Sequence, residues 1–205
     1  MEDNLISEDF EINSDVIMEE EIRDGKKQIC FKGVFSEADK MNRNRRVYPK
    51  AVLKEAFENA WNEAQNNHSP IFGELEHASD AKTHLERIAV TFPELHWNEE
   101  KGQIVGKAVP TLTEAGKTVE ALAKSGIPIC FSTRCAGKVK PYHGPLCEGM
   151  SGAVEVCPGL KIISIDVVGS PSCQAAVSNT VYEGYEGNLE SSGKTSLKTI
   201  FEDEF

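Results

Sequence analysis

The chain has 205 residues, 40% of them hydrophobic, and a formal net charge of -11. That length fits one domain with tails or at most two small domains, and that apolar content is enough for a buried core, which excludes wholesale disorder. Nine acidic side chains and no Lys or Arg fall in residues 1–22, so the rest of the chain carries only -2. A near-neutral body with an acidic arm excludes general nucleic-acid binding, which needs clustered cations. No stretch approaches 18 apolar residues and the acidic start has no apolar leader region, so neither a membrane span nor a signal peptide is expected. In the cytosolic setting this implies, the six cysteines (Cys30, Cys130, Cys135, Cys147, Cys157, Cys173) are expected as reduced thiols.

The elements follow in chain order. Residues 1–24 read as a polar, acidic arm, and Gln28 to Phe35 as the first strand. The basic run Arg43-Asn44-Arg45-Arg46 lies in a polar connection, as a solvated loop or a surface for acidic partners. A helix is expected from Tyr48-Pro49 to Gln65. Pro49 suits its first turn, and Val52, Leu53, Ala56, Phe57, Ala60, Trp61 and Ala64 recur at helical spacing. Glu86 to Phe92 reads as a strand, with a turn over Trp97 to Gly102 and a hairpin partner over Gln103 to Val109. Thr113 should cap a second helix that turns Val119, Leu122 and Ala123 inward and ends before Gly126. Ile127 to Phe131 is a short strand leading into Ser132, and Lys138 to Gly159 a long loop or loose hairpin. Leu160 to Val168 is the most β-branched run and reads as a strand. Residues 184–205 read as a flexible tail. Short strands interleaved with two helices imply an α+β fold: one domain over residues 25–183, with an arm (1–24) and a tail (184–205) as possible propeptides.

Two segments 55 positions apart carry the chemistry. Gly73-Glu74-Leu75-Glu76-His77 delivers a histidine from a polar turn, and Phe131-Ser132-Thr133-Arg134-Cys135-Ala136-Gly137 delivers a serine from a β-prone run. A serine hydrolase needs a base, a nucleophile and donors for the developing oxyanion. The base also needs a partner on its other ring nitrogen. Asp166, a carboxylate within an apolar strand, must have a partner of its own and is the first choice for that role, with Glu86 a later one. Glu74 and Glu76 as a paired-carboxylate site lack a third acid. Cys130, Cys135, His143 and Cys147 match no common zinc spacing, so no metal is expected.

The ordered set Asn42-Arg43-Asn44-Arg45-Arg46-Val47-Tyr48-Pro49, Gly73 to His77, Ser132-Thr133-Arg134 and Ile165-Asp166-Val167-Val168-Gly169-Ser170-Pro171-Ser172 closely resembles the prohead (procapsid) maturation proteases of tailed bacteriophages. Those enzymes look like relatives of assemblin, the herpesvirus capsid protease. The resemblance runs from about residue 28 to about residue 178, most of the chain. One departure is Ala78, where the family's histidine is usually followed by proline.

The resemblance implies an assemblin-like, closed or nearly closed β-barrel with flanking helices. It implies that His77 is the general base and Ser132 the nucleophile, and that Arg134 serves the oxyanion or the substrate. His84 becomes the alternative to Asp166, because assemblin-like enzymes orient the base with a second histidine. No cofactor is implied. The implied role is cleavage of scaffold and capsid proteins inside the assembling prohead, in the host cytoplasm, with a homo-oligomer plausible by analogy. A non-catalytic structural component of the prohead core is the alternative. Phage enzymes of this type cut after Glu in an Ile/Leu-x-Glu pattern. That pattern recurs here at Glu8, Glu19 and Glu202, in the expected arm and tail, and implies self-processing of a zymogen.

Overall fold

The computed structural model describes residues 5–7, 17–23, 26–42, 44–68, 70–147 and 151–168. The tail at 184–205, Cys173, Arg43 and the pattern residues Glu8 and Glu202 lie outside them. The described residues form an α+β structure of eleven strands and two helices. A five-stranded antiparallel sheet has the order β2 (Ile17–Arg23), β3 (Lys26–Glu37), β7 (Gln103–Pro110), β6 (Ile88–Asn98), β5 (Phe72–Glu74). A second sheet places β8 (Cys130–Ala136) between β1 (Leu5–Ser7) and β11 (Lys161–Val168), both antiparallel to it. A small third sheet joins β4 (Arg46–Val47), β10 (Val154–Val156) and β9 (Val139–Pro141), so the long 138–159 connection does contain a loose hairpin.

The two larger sheets meet over aromatic rings. Phe35 lies edge-on to Phe92 and Phe131, with centroids 5.1 and 5.2 Å away, and Phe131 also meets Phe31 at 5.5 Å. These edge-to-face contacts satisfy the ring quadrupoles while filling the core. Thr133 Oγ1 donates to the Phe35 carbonyl at 3.1 Å and ties β8 to β3.

The helices follow from pattern and caps. Helix α1 (Lys50–Asn66) starts just after Pro49, whose extended backbone (ψ 137°) is the N-cap. It buries Val52, Leu53, Ala56, Phe57 and Ala64 against β11 and β6. Helix α2 (Glu114–Lys124) is capped by Thr113 Oγ1, which accepts from the Gly116 amide at 3.1 Å. It buries Val119 and Ala123. Neither helix is long and apolar enough to cross a membrane. No disulfide joins Cys30, Cys130, Cys135, Cys147 and Cys157.

Three expectations are corrected. The barrel is not closed: the five-stranded sheet ends at β5, which is only three residues long and carries a bulge at Gly73/Glu74. Beyond it, among the described residues, a single bridge, Leu75 to Val167, reaches β11, so no continuous ladder joins the two larger sheets there. Second, residues 17–23 of the expected arm are strand β2. Alternation makes them one: Met18 is 3% exposed, while Glu19 and Glu21 reach Lys32 at 2.5 and 3.3 Å on the opposite face. Third, the strand leading to Ser132 begins at Cys130 and runs to Ala136, so Ser132 sits within it rather than at its end.

Phe35 is fully buried and touches both larger sheets. Phe35→Ala should lower stability by about 3–5 kcal/mol, read by urea denaturation in a Ser132→Ala background.

Candidate active site

The site grows from two neighbouring strands and the turn beyond a third. Along β8, side chains alternate, so Ser132 and Arg134 share one face while Phe131, Thr133 and Cys135 share the other. On β11, Asp166 pairs with Ser132 and Ser164 with Arg134, which brings all four to one face. All four are fully buried.

The histidine arrives from β5. Gly73 lies so close to β11 that a Cβ there would come within 2.0 Å of the Ile165 carbonyl oxygen and 2.6 Å of Val90 Cγ2. Only glycine permits this approach, and it lets the Glu74 amide donate to Asp166 Oδ1 at 2.9 Å. The chain then turns. Glu76 has φ +63°, in the left-handed region, and its amide donates to the Val167 carbonyl at 2.7 Å. Arg87 Nη2 donates to the carbonyls of Leu75 and Glu76 at 2.9 and 2.7 Å, pinning the turn from outside. Ala78, which follows the histidine, is 3% exposed.

His77 leaves this turn with its ring between the two strands. Nδ1 is 2.7 Å from Asp166 Oδ2, and Nε2 is 2.8 Å from Ser132 Oγ. An ionised carboxylate only accepts, so Nδ1 carries the proton and Nε2 is the acceptor facing the Ser132 hydroxyl. The ring is 18% exposed, between buried Ser132 and solvent. Such an arrangement can move a proton from serine to imidazole while the carboxylate holds the ring and balances its charge.

The other candidates fall elsewhere. His84 turns its ring toward Glu74 Oε2 (3.5 Å from Nδ1) and Asp80 Oδ2 (3.6 Å from Nε2), so the atom facing His77 Nδ1 belongs to Asp166. Glu86 is exposed in a short 3-10 turn over Leu85–Arg87. Arg134 departs most from expectation. Its Nε donates to Ser164 Oγ and lies 3.0 Å from Asp166 Oδ2, and Nη1 donates to the carbonyls of Asp80 and Lys82 at 3.1 and 3.2 Å. Nη2 sits 3.0 Å from Glu74 Oε1 in an ionic contact. The guanidinium is a buried counter-ion, with its donors directed into the protein rather than toward an oxyanion beside Ser132.

Thiol and metal chemistry find less support. Burial, helped by the nearby Glu21 carboxylate, pushes the Cys30 thiol up to about 11, far from a reactive thiolate. Glu19, Glu21 and Cys30 gather closely, but Lys32 and Lys107 pair with the carboxylates there. The basic motif is structural in its described part: Asn42 Oδ1 accepts from the Arg46 amide at 2.8 Å, and Arg45 (φ +57°) donates to the Ser151 carbonyl. Glu19 lies inside paired strand β2, opposite Cys30, not in a free segment. Sequence reasoning missed Arg87 and Ser164 as parts of the site and gave Gly73 no role of its own beyond its place in the histidine segment. The signal available for Ser164 was parity, since it shares a strand face with Asp166.

Gly73→Ala should destabilise the Ser132→Ala background by at least about 1–3 kcal/mol, because the obstructing atom is backbone. Glu76→Gly should be neutral or stabilising. Thermal denaturation of the two variants checks the contrast.

Comparison with known proteins bears on the fold and on the family. The chain resembles the solved structure of the capsid assembly protease of bacteriophage T4, with a TM-score of 0.71 at 23% identity, over 83% of this chain and all of that one. Among curated sequences no match is found. The profile of the prohead core protein serine proteases matches residues 6–185, spanning β5, β8 and β11 together. With a serine, a histidine and a carboxylate aligned inside that span, the chain belongs to the prohead core protein serine protease family.

Proposed function

We propose that this protease is a serine endopeptidase with Ser132 as nucleophile, His77 as general base and Asp166 as the group that orients the base. The reading is carried by one observation: the His77 ring, with Asp166 Oδ2 2.7 Å from one nitrogen and Ser132 Oγ 2.8 Å from the other. Ser132 Oγ attacks the scissile carbonyl as its proton passes to His77 Nε2. The imidazolium formed is balanced by Asp166 and gives its proton to the departing amine, leaving an ester on Ser132. Water, deprotonated by the same nitrogen, cleaves that ester and returns the serine. Oxyanion stabilisation falls to backbone amides, because the Arg134 donors are engaged inside. None of these steps calls for a cofactor.

The substrates in this reading are scaffold and capsid proteins within the assembling prohead in the host cell, cut after Glu in Ile/Leu-x-Glu segments. Self-processing is supported by the position of β1. Leu5, Ile6 and Ser7 pair with Ala136, Cys135 and Arg134, antiparallel to the strand that bears Ser132. Addition of an extended strand to a sheet edge is a common way to take up a peptide. The pattern Ile6-Ser7-Glu8 begins in that strand, so Glu8 is the favoured self-processing position. Glu19 is disfavoured, since its backbone is held in the β2–β3 ladder. Catalysis is favoured over an inert core component because only catalysis uses a base aligned with a hydroxyl.

The test is the intact mass of the wild-type chain and of Ser132→Ala after incubation at high concentration. Loss of a fragment ending at Glu8 is expected in the wild type alone, with the Glu19 bond spared. Equal trimming of both proteins would remove Ser132 from its role.

A further inference from the structure

The mechanism leaves one fully buried carboxylate unused. Glu74, like Arg134 and Asp166, is 0% exposed. A buried charge is retained only at substantial desolvation cost, so its partners show what it stabilises. Glu74 Oε1 lies 3.0 Å from Arg134 Nη2 and accepts from the His84 amide at 2.7 Å. Its second oxygen faces His84 Nδ1 at 3.5 Å and Arg87 Nε at 3.7 Å. On the far side of the guanidinium, Arg134 Nε is 3.0 Å from Asp166 Oδ2, the same oxygen that meets His77 Nδ1.

Charge alternates along this line: Glu74 negative, Arg134 positive, Asp166 negative, then the imidazole. We infer that Glu74 is a positioning residue for the base: it holds Arg134 so that Asp166 stays aimed at His77. The inference rests on the serine-protease reading above. Three observations converge on it. The backbone amide of Glu74 donates to Asp166 Oδ1, so residue 74 touches one carboxylate oxygen directly and the other through Arg134. Asp166 has its two oxygens engaged by Glu74, His77 and Arg134. Finally, Glu74 holds the His84 amide while Arg134 holds the carbonyls of Asp80 and Lys82, so the same ion pair anchors the far end of the loop that carries His77.

The physical consequence follows from charge balance. With Glu74 neutralised, Asp166 alone would compensate the buried guanidinium and would be drawn toward Arg134, away from the imidazole. A fork of five donors that has lost one acceptor re-aims toward the acceptors that remain. Glu74 lies beneath the His77 turn and is buried, so its loss should slow the chemical step without weakening peptide binding.

The experiment pairs kinetics with a spectroscopic signature. The full-length chain and Glu74→Gln are assayed with a fluorogenic peptide carrying residues 3–12. The His77 Nδ1 proton is followed by NMR in a Ser132→Ala background, assigned by its loss in His77→Gln. Glu74→Gln should lower kcat about ten- to a hundredfold with KM changed by no more than roughly twofold. The downfield Nδ1 proton signal should move upfield or broaden away. A folded Glu74→Gln protein with unchanged kcat and an unmoved signal would overturn the inference. So would a rate loss that only tracks a smaller folded fraction, the folded molecules keeping the parent signal. Should Glu74→Gln not fold, Glu74→Asp is read by the same two measurements. Its shorter reach should give the same changes, smaller, and their absence overturns the proposal. If the peptide is not cleaved by any variant while the proton signal still responds to residue 74, the serine-protease reading fails and the positioning role stands.

Discussion

The structure depends on how one buried carboxylate is neutralised. Asp166 sits in the second sheet with no exposure to solvent. Its charge is tolerable there only because a backbone amide, an imidazole and a guanidinium surround it. Each of these partners comes from a different part of the chain: Glu74 from β5, His77 from the turn after it, Arg134 from β8. Satisfying Asp166 therefore draws together the elements that meet at the candidate site, and the same contacts fix which atom faces His77 Nδ1.

The backbone is shaped to allow this. β5 reaches β11 only because Gly73 has no side chain, and the ladder beyond it shrinks to one bridge. The opening between the two larger sheets is where the turn bearing His77 fits. The left-handed conformation of Glu76 is the local cost, offset by Arg87 on its carbonyl and by the Val167 carbonyl on its amide. Behind the site, the rings of Phe35, Phe92 and Phe131 hold the sheets in register.

Much of this was legible in the residues. The amphipathic spacing of α1, the Thr113 cap and the β-branched run of β11 set their elements because they are local signals, satisfied within a few residues. His77 and Ser132 were singled out through the family resemblance, and Asp166 because a carboxylate in an apolar strand needs a partner, with His84 and Glu86 still open for the third place. β2 was not legible: its acids resemble a solvated arm until Lys32, on the next strand, and Lys107, 86 positions from Glu21, neutralise them. Arg134 was misread for a related reason. Its place two residues after Ser132 suggests a neighbour of the nucleophile, but its counter-ions lie 60 and 32 positions away in Glu74 and Asp166.

The sequence by itself determined most of the local elements, the α+β class and the histidine and serine motifs of the candidate site, because periodicity, capping and motif spacing act over short distances. Tertiary structure alone decided which group faces each nitrogen of His77, that the barrel stays open, and that Arg134 turns inward. Those outcomes depend on burial and on pairing between charges far apart in the chain. Desolvation sets their energies, and it has no value until the fold has excluded water.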